Sequence, residues 1–113
     1  MRIPKDSVLL RIFLSENDKY AGKPLYEAIV MLARERHLAG ATVLRGPLGF
    51  GHSSRVHTAK ILRLSEDLPV VVEIVDGAER IDAFLPELDP MIGDGGLITL
   101  EKVQVLRYGP LKP

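Results

Sequence analysis

A polar segment that could do chemistry follows three glycines near the middle of the chain. The glycines are Gly46, Gly49 and Gly51, and the polar residues after them are His52, Ser53, Ser54, Arg55 and His57. Glycine lets the backbone adopt positive φ angles and lets another group approach closely. Loops also carry a large share of the binding residues in proteins. We therefore expect residues 46–58 to be either a binding loop or a long solvated hairpin.

Two kinds of site chemistry can be built from this polar segment. His52 and His57 could bind a divalent metal together with a carboxylate from a neighbour. Ser53 or Ser54 beside one of these histidines nominally supplies a nucleophile and its base. Catalysis also requires a preorganised geometry, which a polar loop does not provide. We therefore expect no enzymatic activity, and we keep a metal site at the two histidines as an alternative.

The composition limits the classes of function. The chain has 113 residues, 46% of them hydrophobic and 27% charged, which predicts one globular domain over residues 1–113. Its 15 basic residues balance its 15 acidic residues. A nucleic-acid-binding protein needs a basic excess to release counterions, so this balance argues against that class. The absence of cysteine excludes disulfides and thiolate metal ligands.

Signals for secretion or membrane insertion are missing from the sequence pattern. Residues 1–6, MRIPKD, lack the apolar core of a signal peptide. No apolar run approaches the length of about 18 residues that a membrane-spanning helix needs. We therefore expect a cytoplasmic protein without direct membrane insertion.

Hydrophobic periodicity predicts the elements that position the glycine-rich segment. The main predicted strands cover 8–15, 41–45, 69–75 and 97–106, and the predicted helices cover 24–38 and the segment after Asp76. A short strand at 59–64 is expected to return from the polar segment. The order β-α-β-β-α-β is the split βαβ arrangement of the ferredoxin-like fold. The predicted fold class is therefore α+β, with two helices on one face of a four-stranded antiparallel sheet.

Local signals predict where the two helices begin and end. Gly40 is typical of the position just after a helix C-terminus. Asp76 is predicted to cap the second helix, with Glu79 as its capping-box partner. Pro86 lies inside the apolar pattern of that helix and is expected to kink or break it, and Pro90 is expected to end it.

The sheet face opposite the helices has no cover within the chain. The residues expected on this open face are Leu9, Phe13, Val71 and Val75, all of them apolar. An exposed apolar face of this kind is usually a subunit interface. The sequence therefore predicts an oligomer.

Four segments of the chain resemble an uncharacterised bacterial and archaeal family that is described as PII-like. They are GKPLYE at 22–27, LAGATVLRG at 38–46, LSEDLPVVVEIVD at 64–76 and GLIT at 96–99. The resemblance covers residues 7–108, which would form the core of the domain. It implies a ferredoxin-like fold and a homotrimer whose open sheet faces line the interior.

A more distant resemblance is to the PII nitrogen-signalling proteins. Gly49-Phe-Gly51 is similar to the base of their regulatory T-loop, and Ile92-Gly-Asp-Gly95 is similar to their phosphate-binding B-loop. In PII proteins, ATP or ADP lies between these loops in the cleft between neighbouring subunits. Consecutive N–H groups of a glycine-rich turn can form an anion-binding nest. The simpler interpretation of residues 93–96 is a turn between a helix and a strand, without a ligand.

The resemblance implies a non-catalytic signalling protein that binds a small anionic ligand, an adenine nucleotide, in the intersubunit cleft. The implied ligand-binding residues are Arg45, Gly46, Gly49, Gly51, Gly93, Asp94, Gly95, Gly96 and Arg107. The loop 46–58 would report ligand occupancy to an unidentified protein target, a transporter or an enzyme. We expect residues 50–58 to order only on such a target, because burying Phe50 and Val56 cannot offset an ordering cost of about 1–2 kcal/mol per residue.

The chain also departs from the PII pattern. Gly96 stands where PII proteins have a lysine, which removes a positive charge from the phosphate site. His52-Ser53 stands where they have Arg-Gln. Residues 52–68 contain no tyrosine, so we expect no uridylylation. The rival function is a divalent-metal-binding trimer, by analogy with the copper-tolerance proteins that share the ferredoxin-like fold.

Overall fold

The computed structural model describes residues 3–51, the backbone of 57–58, and residues 67–111. The strands within these ranges are β1 (Asp6–Ser15), β2 (Lys19–Tyr20), β3 (Lys23–Pro24), β4 (Thr42–Arg45), β5 (Leu48–Gly49), β6 (His57–Thr58), β7 (Pro69–Asp76) and β8 (Leu97–Gln104). The helices are α1 (Leu25–Glu35), between β3 and β4, and α2 (Ala78–Ile92), between β7 and β8.

The main sheet contains β4, β7, β1 and β8 in this order, and all neighbouring strands are antiparallel. β7 and β1 are central, while β4 and β8 are the edges. The predicted ferredoxin-like α+β fold is therefore confirmed. The strand predicted at 59–64 lies outside the described residues, and the pairing that follows β4 is a short hairpin of β5 with β6.

One face of the main sheet packs against both helices and forms the core. Every second residue of β1 and β7 points to this face, because side chains alternate along a strand. The buried core residues are Leu10, Ile12, Leu14, Leu25, Ile29, Ala33, Val70, Val72, Ile74, Ile81, Phe84 and Leu88. Burial of each large apolar side chain stabilises the fold by about 1.5–3 kcal/mol. The core therefore fixes the strand ends from which the glycine loops emerge.

The C-terminus of α1 differs from the prediction. The helix ends at Glu35, and His37 rather than Gly40 takes the positive φ angle of 58° that follows a helix. The Arg80 side chain donates hydrogen bonds to the carbonyl oxygens of Arg36 and His37. A guanidinium from α2 therefore satisfies carbonyl groups at this helix end, and a glycine turn is not needed.

The prediction that Asp76 caps α2 is wrong. Gly77 is the N-cap residue, without a side-chain cap. The Asp76 carboxylate is fully buried and accepts hydrogen bonds from the N–H groups of Ala39 at 2.9 Å and Gly77 at 2.7 Å. It also accepts a bond from Arg80 Nε at 3.1 Å. Asp76 therefore joins β7, the segment after α1, and α2.

The predictions that Pro86 breaks the second helix and that Pro90 ends it are also wrong, while the predicted kink at Pro86 stays a prediction. α2 continues to Ile92 with Pro86 and Pro90 inside it. Pro86 and Asp82, four residues earlier, are both exposed, so water can reach the carbonyl group that the proline leaves without a donor. The buried side chains of this helix lie on its other face. In the described part of the chain, neither helix is long and apolar enough to span a membrane.

Candidate functional site

Both predicted glycine loops lie at the same end of the sheet; the first covers residues 46–51 and the second residues 93–96. β4 ends at Arg45, whose partner Val70 also pairs with Leu14. β8 begins at Leu97, which pairs with Phe13, the residue before Leu14. However, β4 and β8 are opposite edges, and three strand spacings place the loops roughly 14 Å apart. Within one chain, the two loops therefore do not form one compact site.

The first loop packs closely against the start of β7. A Cβ atom added to Gly46 or Gly49 would lie 3.1 or 3.2 Å from Cγ of Pro69. The N–H group of Gly46 donates to the Pro69 carbonyl at 2.8 Å. A Cβ at Gly51 would meet no described atom within 4 Å. Close packing thus explains Gly46 and Gly49, whereas none of the described residues packs against Gly51.

The second loop ends α2 and turns into β8. Gly93 has a φ of 64° and Gly96 a φ of 76°, so both adopt conformations that favour glycine. The N–H groups of Gly93 and Gly95 donate to Asp89 and Ile92 carbonyls at 2.9 and 3.3 Å. These two donors close the helix. The N–H groups of Asp94 and Gly96 remain as the candidates for contact with an anion.

Arg45 already has a partner. Its Nη2 atom lies 2.5 Å from Oε1 of Glu16 in an ion pair. The Arg45 side chain is 54% exposed, whereas that of Glu16 is only 18% exposed. Sequence reasoning missed Glu16, because an acidic residue after a strand is ordinary at a protein surface. Only its position beside Arg45 in the fold identifies Glu16 as part of the candidate site.

Arg107 lies at the other end of the sheet. It lines an open groove of about 590 Å³ together with Leu9, Val75 and Val103. β8 has eight residues and spans roughly 26 Å, and this length separates Gly96 from the end of the strand that precedes Arg107. One chain therefore does not bring Arg107 to the glycine loops, and a second copy would have to supply it.

The groove is bounded by a chain segment that follows β8. The N–H group of Val105 donates to the Lys5 carbonyl at 2.7 Å. The hydroxyl of Tyr108 donates to the Ala39 carbonyl at 2.6 Å, beside the N-terminal end of β4. The segment therefore crosses from one sheet edge to the other. A groove of this volume is within the usual size range of small-molecule sites, and no sequence motif predicted it.

The open sheet face combines an apolar row with a charged cluster. The strand register joins Leu44, Val71, Phe13 and Leu97 into one row across all strands of the main sheet. Beside it, Arg11 forms 2.9 Å ion pairs with Glu73 and Glu101. The hydrogen bond to Glu73 raises the pKa of Arg11, so this guanidinium stays charged. The prediction of an apolar face therefore captured the row and missed the cluster.

The metal alternative falls mainly outside the described residues. His52 is not described, and for His57 only the backbone is, paired with Gly49. Among the other described residues, no group of three or more His, Asp and Glu side chains is arranged to hold a metal ion. The expected ordering of residues 50–58 on a partner also falls largely outside these residues.

The fold is similar to that of several solved structures. CPII, a nitrogen regulatory PII-like protein from Thiomonas intermedia K12 solved with ADP, AMP and bicarbonate, has a TM-score of 0.69 and 18% identity, over 90% of each chain. GlnK from B. subtilis, solved with ATP, has a TM-score of 0.55 and 12% identity, over 90% of this chain and 85% of that one. The divalent ion tolerance protein CutA1 from Ehrlichia chaffeensis has a TM-score of 0.58 and 10% identity, over 93% and 86%. At such identities, the likeness establishes the PII-like fold alone.

Sequence relatives are considerably closer. A UPF0166 protein from Aquifex aeolicus (strain VF5) is 45% identical over 106 residues, which cover 94% of this chain and 98% of that protein. UPF0166 protein MJ1524 from Methanocaldococcus jannaschii is 37% identical over 99 residues, which cover 88% and 91%. The DUF190 family, described as "Uncharacterized ACR, COG1993", matches residues 7–105. The protein therefore belongs to the DUF190 family and has the PII-like fold.

Proposed function

We propose that this protein is a non-catalytic signalling protein that binds an adenine nucleotide between neighbouring copies of itself. The observation that carries the proposal is the placement of the two glycine loops. They share one end of the sheet but lie at its opposite edges. A ring of copies that sets the β4 edge of one chain beside the β8 edge of the next would bring one loop of each kind together.

Gly51 and Gly95, which lack close described neighbours, indicate where a phosphate could approach the backbone. A Cβ at Gly51 would meet no described atom within 4 Å, and at Gly95 the nearest such atom is 3.8 Å away. Neither glycine has a positive φ angle. Among the described residues, packing and backbone conformation therefore do not explain these two glycines, whereas close approach by a ligand would explain them. Arg45, Asp94 and Gly96 complete the proposed site, and Arg107 would come from another copy.

The open face supports assembly into a homotrimer. The apolar row Leu44–Val71–Phe13–Leu97 includes two strongly exposed side chains, Leu44 at 51% and Leu97 at 57%. Covering such a row removes apolar surface from water, which stabilises by about 25 cal/mol per Å². Arg11 carries its two carboxylate partners on the same face, which lowers the cost of burying its charge.

We further propose that the loop 46–58 reports nucleotide occupancy to a protein target, a transporter or an enzyme. Two large apolar side chains at the base of this loop, Leu48 and Phe50, are 60% and 68% exposed. Exposed apolar residues next to each other are typical of a protein contact surface. Their position beside Gly49 and Gly51 would link that surface to the nucleotide site.

The test of the proposed function is a ligand titration of the intact protein. ATP, ADP and AMP are each added, with and without bicarbonate, and the melting temperature and heat of binding are measured. A ligand at about 100 times its Kd should stabilise the folded state by about 2.7 kcal/mol. If none of these nucleotides binds at millimolar concentration, the nucleotide proposal is wrong.

The alternative function is a divalent-metal-binding trimer. The fold likeness to CutA1 is compatible with it, and His52 and His57 would be the ligands. Calorimetric titration with copper and zinc separates the two functions. A metal affinity that disappears in both His52→Ala and His57→Ala, together with no nucleotide binding, would favour the alternative.

A further inference from the structure

Glu16 contacts both chain segments at the base of the 46–68 connection. Its carboxylate pairs with Arg45, which directly precedes Gly46 at the end of β4. Its N–H group donates to the Leu68 carbonyl at 2.8 Å, directly before Pro69 and β7. Glu16, the residue after β1, therefore contacts the chain at both ends of this connection: at Arg45, where the chain leaves the sheet, and at Leu68, where it returns.

The two partners of the ion pair differ in their surroundings. The Glu16 side chain is only 18% exposed. Its Oε2 atom is buried and has no hydrogen-bond partner in the described structure. A buried carboxylate oxygen without a partner is unfavourable. Arg45 therefore forms an ion pair with a carboxylate whose other oxygen has no hydrogen-bond partner in the described structure.

Two further acidic side chains lie near Glu16 at the end of β1. The N–H group of Ser15 donates to Oδ2 of Asp18 at 2.8 Å, and the Ser15 hydroxyl donates to Asp67. Glu16, Asp18 and Asp67 thus lie together at the end of β1, and Arg45 forms an ion pair with Glu16. A phosphate that approached the first glycine loop would therefore compete with Glu16 for the Arg45 guanidinium.

A guanidinium binds carboxylate and phosphate through the same N–H donors. We infer that Glu16 is a built-in competitor for Arg45 and thereby sets the affinity of the site for the phosphate groups of its ligand. The inference rests on the proposed function, because it requires an anion at the first glycine loop. Binding of that anion would replace the Glu16 carboxylate with a phosphate as the partner of Arg45, and the attraction between Glu16 and Arg45 would oppose this replacement.

The test compares Glu16→Gln with a matched control, Glu87→Gln. Glu87 pairs with Arg36 at 2.6 Å, so the control removes the same charge from another arginine pair. That pair lies at the C-terminus of α1, away from the glycine loops. ATP affinity is measured by calorimetry at constant salt. Glu16→Gln should bind ATP about twofold to fivefold more tightly than the wild type, as expected for loss of a competing ion pair, and Glu87→Gln should not.

Two further arms separate competition for Arg45 from a general structural effect. Arg45→Gln should bind ATP more weakly, and the double variant Glu16→Gln/Arg45→Gln should bind no more tightly than Arg45→Gln alone. Adenosine, which lacks phosphate, should gain nothing from Glu16→Gln. If Glu16→Gln does not fold, Glu16→Asp carries the same prediction, because its shorter side chain cannot keep the 2.5 Å contact.

The outcomes for the two proposals are distinguishable. If the wild type binds ATP and Glu16→Gln matches Glu87→Gln, the inference is wrong and the proposed function stands. A gain that persists with adenosine or without Arg45 also overturns the inference. Binding of ATP by Glu16→Gln but not by the wild type supports it. If no variant binds ATP, the inference and the nucleotide proposal are both wrong.

Discussion

Gly96 lies against Leu14, a core residue at the end of β1. A Cβ atom at Gly96 would be 3.2 Å from Cδ2 of Leu14 and 3.3 Å from the carbonyl oxygen of Phe13. Gly96 also has a φ angle of 76°. At Gly95, by contrast, the nearest described atom would be 3.8 Å away and the φ angle is not positive. The two adjacent glycines are therefore present for different reasons.

We predict that Gly96→Ala destabilises the protein and Gly95→Ala does not. A non-glycine residue at this φ angle is strained by about 1–3 kcal/mol, and the contact with Leu14 adds to that strain. The free energy of unfolding, measured by chemical denaturation, should fall by at least this amount for Gly96→Ala. Equal stabilities for the two variants would show that the packing account of Gly96 is wrong.

We predict that Gly95→Ala and Gly51→Ala weaken nucleotide binding without lowering the melting temperature. Neither added methyl group meets a close described neighbour, so the fold should accept both. A phosphate that approaches the backbone closely would be displaced by the new Cβ. Asp82→Ala on the exposed face of α2 is the control, because Asp82 lies neither in a glycine loop nor in the groove that Arg107 lines. Unchanged affinity in both test variants would remove these glycines from the site.

We predict that Asp76→Asn lowers the free energy of unfolding by about 3–5 kcal/mol. The substitution removes the fully buried ionic partner of Arg80 and places an NH₂ group among N–H donors. The matched control is Asp82→Asn on the exposed face of α2, which should change stability by about 0.5 kcal/mol or less. Urea denaturation of both variants measures the difference. A loss as small as that of the control would exclude Asp76 as a structural link.

We predict that Phe13→Glu breaks the oligomer. Phe13 is at the centre of the apolar row, between Val71 and Leu97, and a carboxylate there could not be buried without a partner. Light scattering should give three times the chain mass of 12.5 kDa for the wild type and the mass of one chain for the variant. Met31→Glu on α1, where the side chain is 56% exposed, is the control and should remain trimeric. A trimeric Phe13→Glu would place the interface elsewhere.

We predict that the ion pair of Arg36 with Glu87 stabilises the protein at neutral pH and not in acid. The hydrogen bond from Arg36, and then its charge, hold the pKa of Glu87 below its ordinary value of 4.5. A carboxylate with a lowered folded-state pKa contributes stability above its unfolded pKa and loses it as the pH falls. The stability difference between wild type and Glu87→Gln should therefore shrink below about pH 4.5. A difference that is constant from neutral to acid pH would contradict this assignment.

The sequence by itself determined the fold. The alternating apolar residues of β1 predicted a strand with one buried face, and the apolar run of β7 predicted a central strand. The structure confirms that β7 is central, and it places β1 beside it. The order of elements then leaves the ferredoxin-like topology as the natural arrangement. The resemblance of several segments to the PII-like family identified the same fold, and the family membership is confirmed.

The helix ends were decided by tertiary contacts. Asp76 has the sequence context of a helix cap, but burial beside Ala39 and Arg80 gives its carboxylate other donors. Gly40 has the context of a helix stop, but Arg80 satisfies the carbonyls of the preceding turn. Local propensities of about 1 kcal/mol are smaller than the energy of such a buried network. Neighbouring residues in the sequence therefore did not predict these ends.

For the candidate site too, the sequence determined one part and the tertiary structure decided the rest. Residue types alone identified both glycine loops, because glycine clusters are visible without a structure. The tertiary structure decided that packing explains Gly46, Gly49 and Gly96, and that no close contact with the described residues explains Gly51 and Gly95. It also decided that Arg45 is paired with Glu16, a residue 29 positions earlier in the chain. Charge pairing depends on distance in space, and strand order across the sheet sets that distance.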